Sequence, residues 1–272
     1  MKKGIDVSYH QKNIDWDKVK ASGVEFAIIR AGYGRTTIDN CFKRNAEECI
    51  RLGIPFGVYW FIYGVNEAEA IKNAEKCHEA IAPYKNYIGL KVWCDLEYDT
   101  DRNANKRGVV LTKNIRTAMV IAFCEKMKQY GYDVGNYANP DYLKTKFNDL
   151  SQYPLWLAKY SDTKGNYDCF MWQYSSKGKV DGISGNVDMN YLYVEEESND
   201  TVKEVGAYIM PTIKKGSEGK AVKVWQVIVG TDVDGDFGKK TEAATKAFQK
   251  NKGLAVDGIV GKESWKAGLE SL

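Results

Sequence analysis

Short apolar runs alternate with longer amphipathic stretches over the first two-thirds of the chain. "GIDVS" (4–8) reads as a buried strand and "DWDKVKASG" (15–23) as a short amphipathic helix ended by Gly23. "VEFAIIRAG" (24–32) is a second strand, followed by a helix over "NCFKRNAEECIRLG" that stops at Gly53. "IPFGVYWFIYG" (54–64) is the third strand, and "NEAEAIKNAEKCHEAI" (66–81) a helix capped by Asn66 with Pro83 beyond its end. The fourth strand, "YIGLKVWCDLEYD", precedes a long helix over "LTKNIRTAMVIAFCEKMKQYG" and a fifth strand, "YDVGNYA". A short helix near "PDYLKTKF" and the strand-like "YPLWLAKY", "DCFMWQYS" and "VDMNYLY" complete the series. Eight strands in roughly 190 residues, five of them followed by helices, predict an α/β fold with a closed TIM-like barrel. An open nucleotide-binding sheet needs a glycine-rich turn after an early strand. "SYHQKN" is no such turn, and "GYGRTT" carries Thr37 where the third glycine belongs.

The pattern changes after residue 194. "EEESND" is charged and lacks apolar periodicity, so residues 195–211 read as a linker. Beyond it lies an internal repeat, "DVDGDFG" (232–238) and "AVDGIVG" (255–261), each followed by a helical pattern. Asp232, Asp234 and Asp236 suggest a calcium loop, but Phe237 and Ala243 stand where an EF-hand needs glycine and glutamate. The repeat glycines are read as turns between helices, giving a small all-α domain over 212–272.

Composition narrows the classes. Among 272 residues, 44% are hydrophobic and 12% aromatic, enough for a real core and against disorder. A net charge of +3 makes no electrostatic case for nucleic acid. That excess sits in the last domain, where eleven lysines meet eight acids between Lys214 and Glu270. No apolar run is long enough to span a bilayer, and the opening "MKKGIDVSYH" lacks the apolar segment of a signal peptide. Six cysteines without C-x-x-C spacing, four of them inside predicted helices or strands, suggest buried thiols made in a reducing cytosol.

The candidate chemistry lies at strand ends. On the fourth strand Trp93, Asp95 and Glu97 share one face by alternation, while Cys94 and Leu96 take the other. Two carboxyl groups so close repel when both are ionised in a dry site, which pushes their pKa values apart. Asp6 ends the first strand, Tyr59 and Tyr63 lie on the third, Tyr137 on the fifth and Trp156 on the sixth. Trp172 or Gln173 is offered by the seventh and Asp188 by the eighth. Four acids ringed by aromatics suit a sugar polymer, whose rings stack while its hydroxyls hydrogen-bond. Only His10 of the two histidines is near a strand end, so neither a metal nor another cofactor is expected. A cysteine hydrolase using Cys94 with His10 is disfavoured because alternation turns Cys94 away from the acids. A purely binding protein on an inactive barrel is disfavoured by the intact acid set.

"GIDVSYHQ", "CDLE" and "WQYSSKGKVDGISGNVDMN" resemble glycoside hydrolase family 25 over roughly residues 3–194. The resemblance implies a flattened (β/α)5(β)3 barrel over 1–194 and an N-acetylmuramidase cleaving the β-1,4 bond between N-acetylmuramic acid and N-acetylglucosamine in bacterial peptidoglycan. It places Asp6, Asp95, Glu97 and Asp188 at the family's four acidic positions. Glu97 is expected as the general acid, with Asp95 orienting substrate or stabilising charge and Asp6 and Asp188 holding the electrostatics. Tyr59, Tyr63, Tyr137, Trp156 and Gln173 are expected to bind substrate. Trp60 stands where many relatives carry histidine, and alternation turns it away from Tyr59. The segment 212–272 resembles the three-helix peptidoglycan-binding domain of cell-wall hydrolases, and the whole resembles a phage endolysin made in the host cytoplasm and acting on the wall. Met210 stands just before that domain. An internal start there would release a free binding domain able to associate with the full chain.

Overall fold

The computed structural model describes residues 1–193 and 211–269. The chain divides into two compact units, Met1–Gly206 and Ala207–Leu272. The expected linker lies outside the described residues except for Pro211, and Met210 lies outside them as well.

In the first unit nine strands are formed: β1 (Lys2–Val7), β2 (Phe26–Tyr33), β3 (Thr37–Ile38), β4 (Phe56–Phe61), β5 (Ile88–Asp95), β6 (Val134–Ala138), β7 (Leu155–Ala158), β8 (Met171–Gly178) and β9 (Val187–Leu192). Eight of them close a barrel. β1 pairs in parallel with β2, parallel pairing continues through β4 to β8, and β9 runs antiparallel between β8 and β1. Strand β3 folds back on β2 as a hairpin.

Alternation sorts the strand residues into two layers. Phe26, Ile28, Leu90, Trp93, Tyr137, Trp156, Met171 and Leu192 fill the inside of the barrel. Ala27, Ile29, Val58, Trp60, Val92 and Cys94 face outward into a larger apolar layer under the helices. The inner layer is tight: a Cβ on Gly135 would lie 2.3 Å from the Trp93 ring. Five helices cover this unit: α1 (Trp16–Ala21), α2 (Phe42–Leu52), α3 (Glu67–Ile81), α4 (Tyr98–Lys106) and α5 (Lys113–Gln129). Asn66 caps α3 by accepting from the Glu69 N–H, and Gly53 ends α2 in the left-handed conformation.

Three local expectations are corrected. Helix α4 directly follows β5, and it escapes periodicity because it buries only Thr100 and Ala104. Glu97 therefore sits on the N-cap of α4, past the end of β5 at Asp95. The short helix near 140–147 is a π-turn over Tyr142–Lys146.

The second unit contains α6 (Lys220–Val229), α7 (Lys239–Asn251) and α8 (Lys262–Leu269) around Ile213, Val222, Trp225, Phe237, Val260 and Trp265. The sequence repeat has a structural counterpart. Gln226 Nε2 donates to Asp234 Oδ1, the Asp236 carbonyl and Thr241 Oγ1, and its Oε1 accepts from the Gly235 N–H. Gln249 repeats each bond, with Asp257, Ile259, Ser264 and Gly258. Each aspartate also accepts from a backbone N–H two residues on, so both serve as turn braces. Among the described residues no group of three or more His, Cys, Asp or Glu side chains is arranged to hold a metal ion.

Candidate active site

The four acids converge at the C-terminal ends of the parallel strands, where barrel chemistry is found. Asp6 is the penultimate residue of β1, and Asp188 is its direct register partner on β9. Asp95 is the last residue of β5, with Glu97 two residues beyond.

Asp6 is almost fully buried, and its Oδ2 accepts from Gln173 Nε2 at 2.8 Å and Asn190 Nδ2 at 2.7 Å. Burial, reinforced by the charge of Asp188, holds its pKa well above the usual carboxylate range. Gln173 Oε1 in turn accepts from the hydroxyls of Tyr137 and Tyr160, both at 3.0 Å. Asn190 Oδ1 accepts from the Trp156 indole at 2.8 Å. A polar net of four strands therefore fixes the position of one carboxylate.

Asp95 is equally buried, and its Oδ1 has no hydrogen-bond partner among the described residues. Burial first and Glu97 second push its pKa well up. Glu97 is half-buried at the mouth, two residues beyond Asp95. Desolvation, then the charge of Asp99, raises Glu97 to about 7. Burial raises Asp188 to about 6. Two neighbouring carboxyl groups this poorly solvated do not both ionise readily, so the site retains a proton, and Glu97 is the member at the mouth.

The expected substrate-binding residues divide by depth. Tyr59, inside β4, and Tyr63, two residues past its end, are half-buried. Tyr137 is nearly buried, with its hydroxyl held by Gln173. Trp156 is corrected: at 1% exposure it packs inside the barrel against Tyr59, Trp93 and Tyr137, beneath the reach of a sugar. Gln173, 3% exposed, holds Asp6 and two tyrosines and is a positioning residue.

Sequence reasoning passed over a buried ion pair at the end of β2. Arg30 Nε donates to Asp39 Oδ2 at 2.8 Å, and its guanidinium lies 4.7 Å from the Tyr9 ring centroid and 5.3 Å from that of Tyr33. Asp39 also accepts from the Tyr9 and Cys41 N–H groups. Arg30 is the register neighbour of Tyr59 and the positive charge that opposes the upward shift of Asp95. Its signal was a lone charge in the apolar run "AIIRAG". Tyr160 and Asn190 were also missed.

Cys94 is fully buried on the outer side of β5, its thiol pushed up by burial, whereas His10 is exposed and packs on Tyr9. No cysteine–histidine pair forms. All six cysteines are free thiols.

Residues 5–183 match glycosyl hydrolases family 25, and residues 222–267 match a peptidoglycan-binding domain family. The chain belongs to glycosyl hydrolase family 25. With that barrel ahead of a peptidoglycan-binding domain, the protein is a peptidoglycan hydrolase. It is 30% identical over 261 residues to the autolytic lysozyme of Clostridium acetobutylicum, covering 93% of this chain and 74% of the relative. Lysozyme M1 of Streptomyces globisporus is 28% identical over 197 residues, 69% of this chain and 66% of that one. Among solved structures the CTP1L endolysin superposes with a TM-score of 0.61 at 28% identity, covering 71% of this chain and 67% of that chain. The autolysin LytC from Streptococcus pneumoniae gives 0.62 at 30% identity, covering 71% of this chain and 46% of that one.

Proposed function

We propose that the barrel is a muramidase that cleaves the β-1,4 bond from N-acetylmuramic acid to N-acetylglucosamine, with Glu97 as proton donor. The observation that carries this reading is the placement of Glu97 on the N-cap of α4, half-buried at the barrel mouth and two residues beyond the buried Asp95, where desolvation raises it to about 7. Glu97 gives its proton to the glycosidic oxygen as the C1–O bond breaks, so the leaving sugar departs as a neutral alcohol. Positive charge grows at C1 and on the ring oxygen beside Asp95, and a water then supplies the new oxygen at C1 and gives up a proton that restores the acid. Asp6 and Asp188 set the local potential, and Gln173 and Asn190 hold Asp6 in place. The testing experiment compares reducing-sugar release from purified walls by wild type and Glu97→Gln. Near-full activity in the variant removes Glu97 from this role.

The second unit anchors the barrel to the wall, and its tether raises the local concentration of glycan around the site. Six free thiols, four of them fully buried, support synthesis in a reducing cytoplasm before action outside. The CTP1L endolysin is described as regulated by a secondary translation product. A product of this chain begun at Met210 retains Pro211, whose carbonyl accepts from the Trp265 indole at 2.9 Å, and so has the contacts its core uses. Such a fragment would associate with the full chain and add anchoring sites. A species of roughly 7 kDa that co-purifies and disappears in Met210→Leu supports it, and one that persists in that variant reports proteolysis instead.

A further inference from the structure

The "GYGRTT" turn between β2 and β3 does not serve a nucleotide. It forms one wall of a cavity of about 280 Å³ that also includes Tyr63, Asn103 and Arg107. The cavity opens on the C-terminal side of the barrel, because Tyr33 ends β2, Tyr63 follows β4, and Asn103 lies on the helix capped by Glu97. At 1.5 Å per residue, Asn103 is about 9 Å and Arg107 about 15 Å along that helix from Glu97.

Its walls are pinned by one buried network. The Trp60 indole donates to the Gly34 carbonyl at 2.9 Å and to Asn73 Oδ1 at 3.3 Å. Asn73 Nδ2 donates to the Tyr63 carbonyl at 3.0 Å, and the Tyr63 N–H donates back to Asn73 Oδ1. Gly32 allows the hairpin to rest on Trp60, since a Cβ there would lie 2.5 Å from the ring, and Gly34 turns with φ of +63°. The tryptophan that replaces the usual histidine thus supports this hairpin.

The charges are unequally engaged. Arg107 donates to both Glu69 oxygens at 2.6 and 2.7 Å, while Arg35 reaches Glu69 through one 3.5 Å contact and is nearly half exposed. Arg35 therefore brings unengaged guanidinium N–H groups to a cavity whose Tyr33 and Tyr63 rings stand edge to face. Fixed walls with an available guanidinium suit a carboxylate on a short flexible arm.

We propose that this cavity binds a carboxylate of the stem peptide carried by N-acetylmuramic acid next to the cleaved bond. The inference rests on the muramidase reading. A stem of three to five residues spans roughly 10–17 Å, which matches the distance from Glu97 to the cavity. The apolar part of the stem lies on the two tyrosines, and its carboxylate pairs with Arg35.

The test uses soluble glycan fragments free of secondary polymers, either bearing stem peptides or stripped of them by an amidase. Wild type should show a lower KM on the stem-bearing fragments. Arg35→Ala should raise that KM about fivefold, the size expected for a partly exposed ion pair, with kcat unchanged and no effect on stripped glycan. Arg35→Glu should raise it further. An equal KM change on both substrates, no change on either, or a fall in kcat alone overturns the assignment. Failure of wild type to release reducing ends from either substrate overturns instead the muramidase reading beneath it.

Discussion

Asp6 and Asp188 stand directly opposite one another across the antiparallel pair of β1 and β9, with both side chains on the inner face of the barrel. Two like charges in that arrangement oppose folding, and burial worsens the conflict by raising both acids, Asp188 to about 6. A carboxyl group with a folded pKa above its unfolded value binds more protons in the native state, so stability falls as pH rises through that window. Asp188→Asn should therefore melt higher than wild type at pH 8, by about 2–4 °C for each kcal/mol recovered, with the gain fading toward pH 4. Calorimetry across that range checks it, and a gain that grows toward acid pH contradicts the sign. The same variant should lose activity less severely than changes at Asp95 or Glu97.

Glu97 predicts the alkaline limb of the rate profile. With its pKa raised to about 7, the proposed role makes it a proton donor below that pH and an inactive carboxylate above it. kcat/KM on soluble glycan should decline tenfold per pH unit well above 7. Glu97→Gln should lower kcat by about 10²–10⁴-fold, the contribution typical of a general acid, and abolish that limb. Wall pull-down should be unaffected. A variant that keeps the alkaline limb would assign it to another group.

How much was readable beforehand follows from what alternation reports. It puts Asp6, Asp95 and Asp188 on the inner face, because each lies within or at the end of an apolar strand. It separates Cys94 from the acids for the same reason. Alternation carries no information about what a side chain's polar end meets, so it did not show that the Trp156 indole donates to Asn190 and the Tyr137 hydroxyl to Gln173, both in the net around Asp6. Helix α4 was hidden because "YDTDRNANK" has no apolar stripe: its position is set by the cap at Glu97 and by Thr100 Oγ1 donating to the Ile62 carbonyl. Arg30 and Asp39 are nine residues apart and meet only when the β2–β3 hairpin folds back.

The two units have separate cores, so each should fold alone. Residues 1–196 should cleave short soluble glycan at the full-length rate yet clear intact walls more slowly, because the tether no longer concentrates substrate. Turbidity loss beside reducing-sugar release on the same preparations checks it. Equal wall clearance by the truncated barrel would show that anchoring contributes nothing under those conditions.

Gln226 and Gln249 offer the sharpest test of the second unit. Each is 1% exposed, and each braces a seven-residue turn with four hydrogen bonds from a single amide. Truncating either to alanine leaves a buried glycine N–H and a turn carbonyl without their partners, a cost of about 2–3 kcal/mol. A unit of this size has roughly 3–9 kcal/mol of stability in all, so one substitution should remove a large share of it and both together should unfold it. Gln249→Ala in the full chain should lower the melting transition of the binding unit and weaken wall pull-down. Turnover of soluble glycan by the barrel should be unaffected. Glutamate at 249 should rescue poorly, because an ionised carboxylate can accept from the Gly258 N–H but cannot donate to Asp257 Oδ1 or the Ile259 carbonyl. If Gln249→Glu melts with wild type, the amide donors are not what holds the turn.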